Sequence, residues 1–356
     1  MAIPRICFKR LPETQHNSSV WFGNARQYLT YLLIVTTVLF TGWTAMAQNS
    51  EKENIFAAVV GVRANIPPDA RTATILGTER LGSGVVIDSN GLILTIGYLI
   101  LEAHNTTVIG PNKEESAAEI VAYDHDSGFG LIRATNPLKV SPLRLGNSSQ
   151  VEEQDNVLVV ASGGRQPIIG AQVASIRKFT GGWEYLLENA IFTSPPHSFH
   201  SGAALLSQDG KLIGIGSLIV NETIPNSGIP GNMFVPVDIL KPVLADLLQR
   251  GRRSGPVRPW IGANTTEVAN RLIVSRVSKG GPADKAGLAP GDFILGVNDS
   301  SVEGQADFYR KLWETGEAGT SVSLNVLSAG SEKLEISKIE IKTADRYHWL
   351  QLNRTY

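Results

Sequence analysis

Few residues in this chain have types that could do chemistry, and spacing alone does not assemble them into a working set. Ser201 precedes Gly202-Ala203-Ala204-Leu205, a hydroxyl at a turn leading into an apolar run. Such a hydroxyl becomes a nucleophile only when a base takes its proton and fixed donors receive the oxyanion that forms. His197 and His200 lie just before it. His200 is the immediate neighbour, however, and adjacent side chains in an extended or turn segment point apart. His125 and Asp126 form a second pair, which reads as polar residues on a surface loop. The six histidines have no metal-ligand spacing with carboxylates, so neither a metal nor a cofactor is expected. Cys7 is the only cysteine, which leaves the rest of the chain without a thiol for a disulfide, a nucleophile or a metal site.

The elements that must position these residues follow from length and pattern. At ~150 residues per domain, the 356 residues make two or three domains. The 35 glycines and 18 prolines argue for many turns and against long helical arrays. A net charge of −1 without a basic stripe argues against nucleic-acid partners. Arg5, Lys9, Arg10 and Arg26 precede an apolar stretch from Tyr28 to Phe40, followed by Ala45-Met46-Ala47. This predicts a signal peptide over 1–47 cut before Gln48, with a signal anchor as the alternative reading, since Tyr28 to Ala47 matches the ~20 residues of a bilayer span. Either way the remainder is exported, to the periplasm or cell exterior, and meets the inner membrane only through this segment.

From Ile55 to Val235 the chain runs in short apolar stretches broken by turn signals, which predicts an all-β domain within 48–250. Val237, Leu240, Val243, Leu244, Leu247 and Leu248 predict one helix over Pro236–Arg250, stopped by Gly251. Residues 251–257 read as an exposed linker, and a second domain is predicted over 258–344. It should hold strands at Leu272–Val277 and Ser321–Leu327 and a helix at Gln305–Glu314. The tail from Asp345 to Tyr356 has no assignable pattern.

Three stretches in order resemble the HtrA (Do-like) branch of the trypsin-fold serine proteases. Leu81-Gly82-Ser83-Gly84-Val85-Val86-Ile87-Asp88 with Gly91-Leu92-Ile93-Leu94-Thr95 is similar to the family's G-S-G-V-I-I-D … G-Y-I-L-T hairpin. Ala122-Tyr123-Asp124 with Leu131-Ile132 resembles the segment that carries the family's aspartate. Ser201-Gly202-Ala203-Ala204-Leu205 with Gly210-Lys211-Leu212-Ile213-Gly214-Ile215 resembles the stretch around the nucleophile. The resemblance implies a mainly β fold, a trypsin/chymotrypsin-like double β-barrel, with Ser201 at the nucleophile position.

The matching residues depart from the family's site. Where the family reads Thr-Asn-Asn-His, this chain has Thr95-Ile96-Gly97-Tyr98, so Tyr98 replaces the histidine base. A phenol with a pKa of about 10 cannot take a serine proton at neutral pH as imidazole does. Gly128 stands where the resemblance implies the orienting aspartate, and Phe199 where it implies the oxyanion-hole glycine. The expectation is an inactive protease relative whose former cleft is filled by Tyr98; the alternative is a serine endopeptidase using Ser201 with His200 or His197 as a rearranged base.

Residues Arg258 to Thr343 resemble an HtrA-type PDZ domain. Trp260-Ile261-Gly262-Ala263 is similar to its carboxylate-binding loop, and Gly281-Pro282-Ala283 through Val297-Asn298 to the S-P-A-x-x-A-G-L-x-x-G-D-x-I-L-x-V-N run. The resemblance implies that an extended peptide adds as a strand while the amides of Ile261, Gly262 and Ala263 take its terminal carboxylate. Ala306, Tyr309 and Arg310 are candidate pocket walls, Trp260 a loop contact, and Phe308 a core aromatic. The implied partners are unfolded or C-terminal peptides of envelope proteins, with assembly into homo-oligomers or with HtrA-like relatives, in protein quality control.

Overall fold

The computed structural model describes residues 55–163, 167–269, 271–329 and 335–352. The predicted signal segment lies outside the described residues. Among those described, no helix is long and apolar enough to cross a membrane. Asn54–Tyr356 forms one compact unit.

The short β-branched runs become strands, as their composition requires. The first six are β1 (Val59–Asn65), β2 (Glu79–Val86), β3 (Leu92–Ile96), β4 (Asn105–Ile109), β5 (Glu115–Tyr123) and β6 (Phe129–Ala134), closed into a barrel in the order β1-β2-β3-β6-β5-β4. The next six are β7 (Asn156–Val160), β8 (Ile168–Gly181), β9 (Tyr185–Ser194), β10 (Ala204–Leu206), β11 (Leu212–Val220) and β12 (Gly231–Pro236), closed as β10-β11-β12-β9-β8-β7. Closure leaves neither set with a free edge. Val60, Ile93, Leu131, Phe192 and Leu212 are fully buried in one apolar cluster that runs from the first barrel into the second.

That shared core brings the two sequence motifs together. Ser83 in β2 donates its amide to the carbonyl of Ser201 at 2.8 Å. Gly202 follows with φ +73, and a Cβ on it would lie 1.9 Å from the Ser83 carbonyl oxygen. Only glycine supplies both the left-handed backbone and that approach.

A third sheet carries β13 (Ala263–Val268), β14 (Arg271–Val277), β15 (Phe293–Val297), β16 (Ser300–Ser301), β17 (Ser321–Leu327) and β18 (Ile336–Lys342) in the order β13-β14-β15-β17-β18, with β16 on β15. The helix Gln305–Glu314 packs Phe308, Tyr309 and Leu312 into its core.

Two expectations need correction, and the linker, exposed at Ser254, Gly255 and Pro256, has added contacts. The single helix over Pro236–Arg250 is a 3-10 turn at Val237–Ile239 followed by an α-helix at Leu244–Arg250. Pro242 explains the break, because it has no amide to donate and displaces the residue before it from helical geometry. The patternless tail contains a helix, Arg346–Leu350, capped by Asp345 accepting from the Tyr347 amide at 2.8 Å. The linker is tied down where its arginines lie: Arg253 meets Asp124 through Nε at 3.1 Å and Nη2 at 2.7 Å, and Arg252 meets Asp345 at 2.9 Å.

Asp124 is buried, and it also accepts from Ser127 Oγ at 2.5 Å. A buried carboxylate must be met this fully, or its desolvation goes uncompensated. Asp124→Ala should therefore lower unfolding stability by about 2–3 kcal/mol, less than the ~3–5 kcal/mol of a fully buried pair because Arg253 keeps some water contact. Urea denaturation of the two proteins measures it.

Candidate functional site

Ser201, Tyr98 and Gly128 converge where the two barrels meet. The residues after β3 turn at once into a 3-10 turn, Gly97–Leu99, which swings Tyr98 across the cleft. Its Oη donates to the Ser217 carbonyl at 2.6 Å and lies 2.8 Å from Ser201 Oγ. Burial pushes the phenol's pKa from its ordinary 10.0 up to about 12, with the Ser201 hydrogen bond acting the other way. The group lying against the serine is thus a protonated donor at neutral pH, with no capacity to accept the serine's proton.

Gly128 is where the loop after β5 rejoins β6, and its carbonyl accepts from the Gly97 amide at 2.7 Å. Its φ is +78, and a Cβ there would stand 3.2 Å from Tyr185 Oη. Tyr185 itself donates to the Ser127 carbonyl at 2.5 Å, closing the space beside it. A carboxylate at this position would have to be built on a left-handed backbone against a fixed tyrosine.

Phe199 is half-exposed, and its amide donates to Nδ1 of His197 at 3.0 Å. His197 is buried, with its own amide donating to Asn232 Oδ1 at 2.6 Å. His197 is therefore committed at Nδ1 to holding the turn, and the Phe199 amide points at it. His200 is driven below its ordinary pKa by burial, opposed by the backbone of Ser198 and His197, and its Nδ1 has no hydrogen-bond partner among the described residues.

His125 and Asp126 are not the surface pair expected. The His125 ring lies between Tyr123 and Tyr347, at centroid distances of 4.4 and 4.3 Å, and burial holds its pKa well below 6.5, reinforced by Arg346. Asp126 pairs with Arg258 at 3.4 Å and Arg253 at 3.7 Å. The tail helix and linker cover this loop, and neither was legible as a lid in the sequence.

The residues expected to bind peptide assemble as a loop and groove. Gly262, with Ile261 and Ala263 on either side, turns its amides inward, Trp260 packs on Trp349 at 5.4 Å, and β13 runs beside the helix Gln305–Glu314. Phe308 is core. Tyr309 is fully buried, its Oη donating to the Gly181 carbonyl at 2.8 Å, while Arg310 pairs with Glu188 at 2.6 Å and Ala306 stays half-buried at the groove's rim.

The amides are not waiting for a ligand. Glu184, in the turn between β8 and β9, places Oε1 at 2.7 Å from the Gly262 amide and 3.2 Å from the Ala263 amide, with Oε2 at 3.2 Å from the Ile261 amide. Burial raises this carboxyl from 4.5 to about 7, against the Arg346 charge and the three amides that hold it down. Sequence reasoning missed Glu184 because a lone glutamate in a turn carries no signal of what it will face.

Comparison with known proteins gives the same two domains. Residues 82–215 match the trypsin-like peptidase domain model, and residues 259–341 match the PDZ domain model. The chain combines the trypsin-like peptidase and PDZ domains and is similar to HtrA-type proteins. It is 28% identical over 263 residues to the "probable periplasmic serine protease do/HhoA-like" of Haemophilus influenzae, covering 70% of this chain and 56% of that protein. It is likewise 28% identical over 269 residues to the "periplasmic pH-dependent serine endoprotease DegQ" of Escherichia coli, covering 71% and 57%. The chain thus spans about half the length of these relatives. The solved "HtrA-type protease AlgWS227A with tripeptide" superposes with a TM-score of 0.51 at 20% identity, over 82% of this chain and 94% of that one. This last likeness concerns the fold.

Two outcomes follow from the cleft. Tyr98→Phe removes the donor to the Ser217 carbonyl and should cost about 1–3 kcal/mol of unfolding stability, read from urea denaturation. Tyr98→His should leave Ser201 unlabelled by a fluorophosphonate, since Gly128 gives the new imidazole no carboxylate; labelling at the rate of an active serine protease would contradict this.

Proposed function

We propose that this HtrA-like chain is an exported pseudoprotease that recognises carboxylate-bearing chain ends through its PDZ domain, as a chaperone-like or regulatory partner in envelope protein quality control. What carries the recognition half is the set of three amides, from Ile261, Gly262 and Ala263, already converged on a carboxylate. An anion held by backbone donors alone is recognised for its charge and shape rather than for its side chain.

The non-hydrolysing half rests on Tyr98. A protonated phenol lies on the Ser201 hydroxyl, and the loss of one member of a nucleophile–base–acid set typically lowers turnover ~10⁴-fold or more. Export is supported by the basic and apolar pattern of the first 47 residues and by relatives named periplasmic.

A fluorophosphonate probe and an unfolded protein substrate, offered to the exported part at neutral pH, should give neither an adduct nor cleavage. Labelling that disappears in Ser201→Ala would replace this reading with that of a working endopeptidase. Gly262→Val, whose Cβ would crowd the Trp260 ring at 3.0 Å, should abolish binding of a peptide with a free C-terminus.

A further inference from the structure

We infer that the PDZ groove has an internal ligand, the Gly182–Leu186 turn of the first domain, and that the Glu184 carboxylate occupies the place of an incoming chain end, which can bind only by expelling it. The inference rests on the proposed recognition of chain ends and adds what regulates it.

The turn meets each requirement of a groove ligand. Both Glu184 oxygens are taken by the loop amides, as a terminal carboxylate would be. The Thr265 amide in β13 donates to the Gly182 carbonyl at 2.9 Å, a backbone contact of the kind a peptide makes when it adds beside a strand. Gly182 is pressed so close that a Cβ on it would lie 2.6 Å from the Thr265 carbonyl oxygen. Leu186 packs against the PDZ core, filling the role of an apolar ligand side chain.

The turn is also shaped for the purpose. Glu184 has φ +60, a left-handed conformation that a glutamate rarely adopts and that costs stability unless its surroundings repay it. Tyr309 Oη accepts from the Glu184 amide at 3.3 Å while donating to the Gly181 carbonyl, and Arg346 Nη1 donates to the Trp183 carbonyl at 3.1 Å. These bonds fix the turn from the PDZ helix on one side and from the tail helix on the other. A tethered ligand competes at an effective concentration of ~mM, so the affinity for a free peptide falls by the fraction of molecules in which the turn is docked.

The test uses the exported part of the chain, a fluorescein-labelled short peptide ending in leucine with a free carboxylate, and its carboxamide as control. Glu184→Ala should bind the free-carboxylate peptide at least ~10-fold more tightly than the wild type, and Gly182→Val, which pushes the turn off β13 without touching the loop, should do the same. Hydrogen exchange should show the Ile261–Ala263 amides protected in the wild type and exposed in both variants. Protection unchanged in both variants would overturn the internal ligand whatever the peptide does. Exposed amides with equal peptide affinity in all three proteins would overturn the competition while leaving chain-end recognition standing. Exposed amides with no peptide bound by any of them would remove chain-end recognition itself, and the competition with it.

Discussion

A carboxylate withdrawn from water must be surrounded by donors, and two such groups hold this molecule's parts together. Glu184 takes three backbone amides of the PDZ loop, and Asp124 takes the guanidinium of Arg253 with the hydroxyl of Ser127. Each carboxylate comes from a loop of the barrel domain, and each finds its main donors in the chain that follows. Removing either donor set would leave a buried charge unanswered, so the PDZ domain sits against the barrels through polar bonds that demand a defined geometry as well as through packing.

The cleft obeys the same economy of donors and acceptors with an opposite result. Where proton transfer would need a strong acceptor beside Ser201, the chain places a phenol that is itself a donor and that already serves the Ser217 carbonyl. The Phe199 amide, a donor that an oxyanion would need, is satisfied by His197. The groups around the serine are thus bonded to one another. A site whose donors are already paired is stable, and stability of that kind opposes the reorganised charge of a transition state.

Glu184 and Tyr185 are neighbours that face different domains. The first holds the PDZ loop, and the second holds the Ser127 carbonyl next to Gly128. The turn between β8 and β9 is therefore where the PDZ loop and the Gly128 loop are held by one short piece of backbone.

The strands and the helix Gln305–Glu314 were legible in the sequence because apolar alternation and turn chemistry are local properties of the chain, whereas the hairpin at Gly82-Ser83-Gly84 and the PDZ loop were legible through their resemblance to HtrA-type motifs. So were the identities of Tyr98, Gly128 and Phe199 at their positions. The helix broken at Pro242 was misread because the apolar spacing continued through it. The tail helix was missed because it draws its stability from contact with the barrel domain, Tyr347 Oη donating to the Tyr123 carbonyl at 2.5 Å, rather than from its own short pattern. What the sequence by itself carried was the pair of folds and the expectation that Tyr98 and Gly128 stand where a base and an acid would be. Only the tertiary structure decided that Tyr98 reaches across to Ser217, that the His125 ring is enclosed by Tyr123 and Tyr347, and that Glu184 meets the Gly262 amide 78 positions along the chain. Those facts depend on which donors meet which acceptors across long separations, and a one-dimensional pattern carries no record of such meetings.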